Sequence, residues 1–291
     1  MTRSQATATG FVAVLLWALL ALFTVGSAPT PPLLLNTLSF GIGGCVGIVW
    51  ALVTGSVTQM KQVPVRIYIL GTIGLFAYHL LYFSALRLAP AAQAGLIAYL
   101  WPLLIVVFSG LLPSERLRAG HLIGALLGFG GAALIITGGG MEVGETHLAG
   151  YLLALLAAFT WAGYSVLSRS VGTAPTASVA VFCLASSALS LPLHLAFEDT
   201  AFPATLLGWA SVLGLGLGPV GFAFYVWDIG CKRGDIQLLG TSSYAAPLLS
   251  TLALVAAGIA APTLTLLWAA LLITGGALIA ARASFSVRAS L

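Results

Sequence analysis

Tyr99-Leu100-Trp101-Pro102-Leu103-Leu104 and Tyr244-Ala245-Ala246-Pro247-Leu248-Leu249 carry the same Tyr-x-x-Pro-Leu-Leu pattern 145 residues apart. Gly130-Gly131-Ala132 recurs as Gly275-Gly276-Ala277 at the same offset. Trp17-Ala18 matches Trp161-Ala162, and Gln93 matches Gln237, at an offset of 144. A single pair would carry little weight, but a shared offset points to a chain built from two copies of one unit.

Around these motifs the chain is apolar almost throughout. Of its 291 residues 60% are hydrophobic and 6% charged, against roughly 25% charged in a soluble domain. With a mean hydropathy of +1.09 there is too little charge to clothe a water-soluble globule, so most of the surface must face lipid. Runs of about 20 apolar residues, the length that crosses a bilayer as a helix, occur at 9–27, 32–54, 66–86, 90–111, 119–138, 148–168, 175–197, 205–229, 236–258 and 262–281. These ten long runs predict an all-α membrane protein and exclude a barrel of short alternating strands. The first run follows Arg3 and resembles a signal peptide ending near Ala28, but nine similar runs follow, so it is read as one of a set.

The basic residues orient the segments. With the N-terminus in the cytoplasm, Arg3, Lys61, Arg66, Arg116, Arg118, Arg169, Lys232, Arg233, Arg282 and Arg288 all fall on the cytoplasmic side, and only Arg87 lies outside. Both termini are therefore expected in the cytoplasm. Each copy, 9–138 and 148–281, holds five segments, an odd number, so the second enters the membrane from the opposite side. That is an inverted repeat, the architecture of carriers that alternate between two access states. The net charge of +4 and pI near 9.2 reflect this topology; eleven scattered cations make no phosphate-tracking stripe, so no nucleic-acid partner is expected. Glu142, Glu145, Glu198 and Asp199 are read as solvated residues of outer loops.

Enzymatic signatures are missing. No GxxxxGK[ST], HExxH or GxSxG occurs. Gly216-Leu217-Gly218-Pro219-Val220-Gly221 fits GxGxxG but lacks a βαβ context, and packing or kinking explains it better. Cys45, Cys183 and Cys231 are far apart and form no ligand set. Neither a metal nor a cofactor is expected, and the three are read as small apolar fillers.

The Phe83-Ser84-Ala85-Leu86-Arg87 segment, the two Tyr-x-x-Pro-Leu-Leu motifs, the Pro113-Ser114-Glu115-Arg116-Leu117 turn and the run Ile123-Gly124-Ala125-Leu126-Leu127-Gly128 resemble the EamA repeats of the drug/metabolite transporter superfamily. The resemblance covers nearly the whole chain. It implies a ten-helix transporter, most similar to the bacterial inner-membrane exporters of aromatic and other neutral amino acids, methionine and threonine among them. Ala260-Ala261-Pro262 stands where a second Glu-Arg turn would be, so the function of Glu115 is not duplicated.

Polar and aromatic residues away from the segment ends mark a candidate path. Tyr78, His79 and Tyr82 lie on one side of the third segment. The fourth adds Tyr99 and Trp101, and the sixth Trp161 and Tyr164, with Trp17 at the corresponding position of the first. Tyr225 and Tyr244 come from the eighth and ninth. Any single aromatic is read first as packing or interfacial belt, whereas the mid-segment cluster fits a cavity for aromatic or thioether side chains. His79 is assigned hydrogen bonding to the amino acid's carboxylate or ammonium, a proton relay being the competing role. His121 and His194 are placed nearer the interfaces and His147 in a loop. Pro102 and Pro247, at matching mid-segment positions, are candidate hinges. Pairs Gly43 and Gly47, Gly124 and Gly128, and Gly214 and Gly218 are read as close helix contacts. The expected function is export of small amino acids by a monomeric facilitator; export of drug-like organic cations or other metabolites, with proton coupling, is the alternative.

Overall fold

The computed structural model describes residues 1–113, 115–137, 147–171, 174–256, 258 and 262–288, and among them the chain is helical without a strand. Ser114, Glu142, Glu145, Ala260 and Ala261 lie outside the described residues. In the first half, α1 (Arg3–Trp17) and α2 (Leu20–Gly26) form one run. They are followed by α3 (Pro32–Val53) and the short α4 (Val57–Lys61). Helix α5 (Val65–Thr72) passes through a π-helical turn, Ile73–Ala77, into α6 (Tyr78–Leu88). Then come α7 (Ala91–Ala98), α8 (Trp101–Ser109) and α9 (Ala119–Thr137).

The second half opens with α10 (Leu148–Ser170) and α11 (Val179–Phe197). Helix α12 (Leu206–Leu217) passes through a second π-helical turn, Gly218–Phe222, into α13 (Ala223–Arg233). The half closes with α14 (Ile236–Ser242), α15 (Ala245–Ala256) and α16 (Leu264–Arg288). The two π-helical turns begin 145 residues apart, at Ile73 and Gly218, which is the offset of the sequence repeat.

Eight stretches among the described residues are long and apolar enough to cross a membrane, making this a multi-pass membrane protein: Arg3–Gly26, Pro32–Val53, Val65–Leu88, Ala119–Thr137, Leu148–Ser170, Thr176–Phe197, Leu206–Arg233 and Leu264–Ser284. The fourth and ninth predicted runs are not among them, and each is interrupted by a two-residue gap like the one between α1 and α2. Helices α7 and α8 part at Tyr99 and Leu100, and α14 and α15 part at Ser243 and Tyr244. Pro102 and Pro247 fall within the first turns of α8 and α15, where a helix has no use for the N–H that proline lacks. They open new half-helices rather than kinking continuous ones.

Packing crosses between the halves: α9 runs along α16, α3 along α11, α1 along α13 and α6 along α10. Exchanging the halves maps the first two pairs onto themselves and the last two onto each other. Small residues permit the approach. A Cβ on Gly124 would come within 2.5 Å of the Gly276 carbonyl oxygen, and one on Gly276 within 2.5 Å of the Gly124 carbonyl oxygen. A Cβ on Gly43 would come within 2.6 Å of the Gly221 Cα, and Gly47 and Gly128 lie against the Tyr225 and Tyr244 rings.

One surface assignment needs correction, and two histidines near helix ends prove to be buried. The Glu198 side chain is buried, not solvated: it takes the guanidinium of Arg87 at 2.7 Å and the N–H groups of Leu33 and Leu34 at 3.0 and 3.2 Å, capping the N-terminus of α3. His194, one turn earlier, is buried against it at 3.0 Å, and His121 is buried beside Ser284 at 3.2 Å. Proximity to a segment end does not mean exposure where a neighbouring helix covers that end.

Candidate functional site

The irregular backbone converges on one cavity of about 120 Å³. Tyr78 and His79 follow directly on the first π-helical turn, Pro219 and Val220 belong to the second, and Tyr99 occupies the gap between α7 and α8. Trp17, Tyr82, Trp101 and Trp161 complete the aromatic wall, with Leu20, Ala98 and Phe224 filling between them. π-helical turns break the regular hydrogen-bond ladder and recur at functional sites. Here one releases the Pro219 carbonyl to accept the indole N–H of Trp17 at 3.0 Å. The GxGxxG stretch thus serves as a bend in the cavity wall.

The rings support one another. Trp17 lies 5.8 Å from Trp161, 6.0 Å from Trp101 and 5.0 Å from Trp227, while Tyr78 stacks on Tyr82 at 6.0 Å. Phe40 meets His79 edge to face at 5.0 Å and stacks on Phe224 at 5.5 Å. Aromatic contacts of this kind each contribute about 1 kcal/mol beyond burial. The cavity is therefore a packed cage with a fixed interior.

Its polar edge is available to a ligand. His79 Nδ1 lies 2.7 Å from the Leu75 carbonyl oxygen, which can only accept, so Nδ1 carries hydrogen and a neutral ring presents Nε2 as an acceptor. Among the described residues the hydroxyls of Tyr78, Tyr82 and Tyr99 and the indole N–H groups of Trp101 and Trp161 have no hydrogen-bond partner. Among the described residues no carboxylate lines the cavity. The site offers π faces for an ammonium, donors for a carboxylate, and a volume close to but below the about 150 Å³ of a cavity that accepts benzene.

Seven of the ten sequence-selected aromatics and histidine meet here: Trp17, Tyr78, His79, Tyr82, Tyr99, Trp101 and Trp161. Three point elsewhere. Tyr164 packs against Gly74 and a small space beside Asp228 and Lys232. Tyr225 donates to the Gly43 carbonyl at 3.0 Å, and the Tyr244 hydroxyl accepts the Leu103 N–H at 3.1 Å. Sequence reasoning had not placed Leu20, Ala98, Pro219 or Val220 at the site; only the repeat offset, carried from Gly74 to Pro219, could have drawn attention to the second π-helical turn.

Charged groups gather at the two ends of the bundle. At the end that holds Arg3 and Ser284, Glu115 bridges Arg3 at 2.9 Å and Arg169, which also donates to the carbonyls of Cys231 and Gly234 at 2.9 Å. Arg3 reaches Asp235 at 3.6 Å, and Lys232 pairs with Asp228 at 2.8 Å. At the opposite end stands the buried Glu198 with Arg87 and His194.

Comparison with known proteins gives consistent matches. The EamA-like transporter family matches residues 6–137 and again 148–282. The chain is 51% identical to the aromatic amino acid exporter YddG of Ancylobacter novellus, covering 96% of this chain and 98% of that one. It is 26% identical to the protein of the same name from Escherichia coli over 96% and 97% of the two chains. A solved crystal structure, 51% identical, matches with a TM-score of 0.91 over 96% of this chain and 98% of its own.

Proposed function

The chain belongs to the EamA-like transporter family and is a transporter rather than an enzyme; within that family we propose that it exports aromatic and other neutral amino acids, such as methionine or threonine, from the cytoplasm. The observation that carries this is the cage of tryptophan and tyrosine rings with unpaired donors, which fits a single-ring or thioether side chain next to a zwitterionic backbone. The relatives named as aromatic amino acid exporters support the same substrate class. Drug-like organic cations would need a larger pocket, about 300 Å³ or more, and a buried acidic partner.

The mechanism we propose is alternating access by a monomer in the bacterial inner membrane, with both termini cytoplasmic and ten segments in two inverted repeats, 9–138 and 148–281. In its support, the cross-half pairings and both π-helical turns obey the repeat relation, and Arg3, Arg169 and Lys232 gather at the end that holds both Arg3 and Ser284. The breaks before Pro102 and Pro247 are the proposed hinges. With His79 the one imidazole and no carboxylate in the lining among the described residues, transport is facilitated diffusion down the solute gradient.

Counterflow tests this. Vesicles of purified protein preloaded with unlabelled L-phenylalanine should accumulate the labelled amino acid with or without a pH gradient. No exchange of any neutral amino acid would dismiss the substrate class, and strict dependence on the pH gradient would replace the facilitator with a proton-coupled carrier.

A further inference from the structure

Helices α6 and α13 carry matching rows of residues. On α6, His79, Phe83 and Arg87 stand four residues apart and share a face. On α13, Phe224, Asp228 and Lys232 occupy the positions 145 residues later. His79 and Phe224 both line the central cavity. Arg87 and Lys232 each lie two turns further along, toward opposite ends of the bundle.

The ends differ in openness. Arg87, with Leu80, Phe83, Ser84, Leu33 and Phe197, lines a second cavity of about 200 Å³, and its side chain is 49% exposed. Phe83 stands between the two cavities, its ring 6.0 Å from that of His79. Lys232 borders a space of only about 10 Å³ and is 6% exposed. It is fully engaged by the Asp228 carboxylate at 2.8 Å and the Ala174 carbonyl at 2.9 Å. Each cation thus has a carboxylate partner, and each partner has other donors. Glu198 keeps the N–H groups of Leu33 and Leu34, and Asp228 keeps the Thr176 hydroxyl at 2.8 Å. Either cation can turn toward a passing anion without leaving its own carboxylate bare.

We propose that Arg87 and Lys232 are equivalent receiving sites for the carboxylate of the transported amino acid, one at each mouth, exposed one at a time as the halves exchange shapes. The central cage holds the side chain without any fixed charge, so the carboxylate meets a full positive charge only on entering or leaving it. A tethered counter-carboxylate keeps that attraction weak enough for release, as conduction through successive sites requires. The assignment rests on the amino acid exporter function proposed above.

The test is the ionic-strength dependence of counterflow. For wild-type protein the half-saturating L-phenylalanine concentration should rise as ionic strength goes from about 0.05 to about 0.5 M, because mobile ions screen an exposed cation. The neutral pair Arg87→Gln with Glu198→Gln, and likewise Lys232→Gln with Asp228→Asn, should each raise half-saturation about threefold and reduce its salt dependence, while Arg87→Lys stays close to wild type. Wild-type half-saturation that ignores salt overturns the proposal without any variant. So does a neutral pair that binds like wild type, or one that binds more weakly yet keeps the full salt dependence. Vesicles that exchange no amino acid at all would instead remove the exporter function beneath it.

Discussion

The hydroxyl of Tyr244 accepts the backbone N–H of Leu103 at 3.1 Å. Leu103 lies in the first turn of α8, where no carbonyl of the same helix is available to that N–H. The tyrosine of one Tyr-x-x-Pro motif therefore caps the half-helix begun by the proline of the other. Tyr99, its repeat counterpart, lines the cavity instead.

These equivalent tyrosines should separate in their effects. Tyr244→Phe removes a cap in a buried site and should cost about 1 kcal/mol, read as a lower melting temperature with half-saturation of exchange little changed. Tyr99→Phe should leave melting nearly unaltered and weaken exchange. Parallel behaviour of the two variants would contradict the division.

His79→Ala and Trp101→Ala should each lower counterflow about tenfold or more while the protein is still produced and monodisperse. The first removes the imidazole acceptor, the second a face of the cage; one lost hydrogen bond to a charged ligand group accounts for roughly that factor. Wild-type rates in both would reduce the cavity to ordinary packing.

Glu115→Gln should loosen the end that holds Arg3. The substitution leaves the half-buried Arg169 facing a neutral partner, a loss of about 1–3 kcal/mol. Arg169 also holds the Cys231 carbonyl, and Cys231 is fully buried. A membrane-impermeant maleimide should therefore label Cys231 several-fold faster in the variant, measured by peptide mass spectrometry. An unchanged rate would show that Glu115 does not keep this end closed.

The two Gly-Gly-Ala motifs make a contrast within adjacent residues. Gly131 and Gly276 are tight, with carbonyl oxygens at 2.8 and 2.5 Å from an added Cβ, whereas Gly130 and Gly275 face open space. Gly276→Ala should lower thermal stability by about 1–3 kcal/mol through overpacking. Gly275→Ala should be neutral or stabilising by up to about 1 kcal/mol, because alanine is the better helix former.

The repeat, the apolar segments and most of the cage were legible from the chain because offset, length and residue type are written there directly. The breaks were half legible: Pro102 and Pro247 marked the places, but proline does not say whether a helix bends through it or starts anew beside it. Ile73–Ala77 and Gly218–Phe222 gave no warning of π-helical geometry, since one extra residue per turn leaves hydropathy unaltered. That Tyr164, Tyr225 and Tyr244 lie outside the cavity lining was not legible, because helices apolar on every side have no polar face to fix their rotation. Glu198 read as solvated because its partners, Arg87 and the start of α3, are more than a hundred residues away.

Four of the seven tryptophans, Trp17, Trp101, Trp161 and Trp227, are clustered within 5.0–6.3 Å of one another at the cage, while Trp50, Trp209 and Trp268 are exposed on the apolar surface. The molecule is consequently its own fluorimeter. Brominated acyl chains would quench the outward-facing indoles, and the residual emission would report occupancy of the cage without any attached dye.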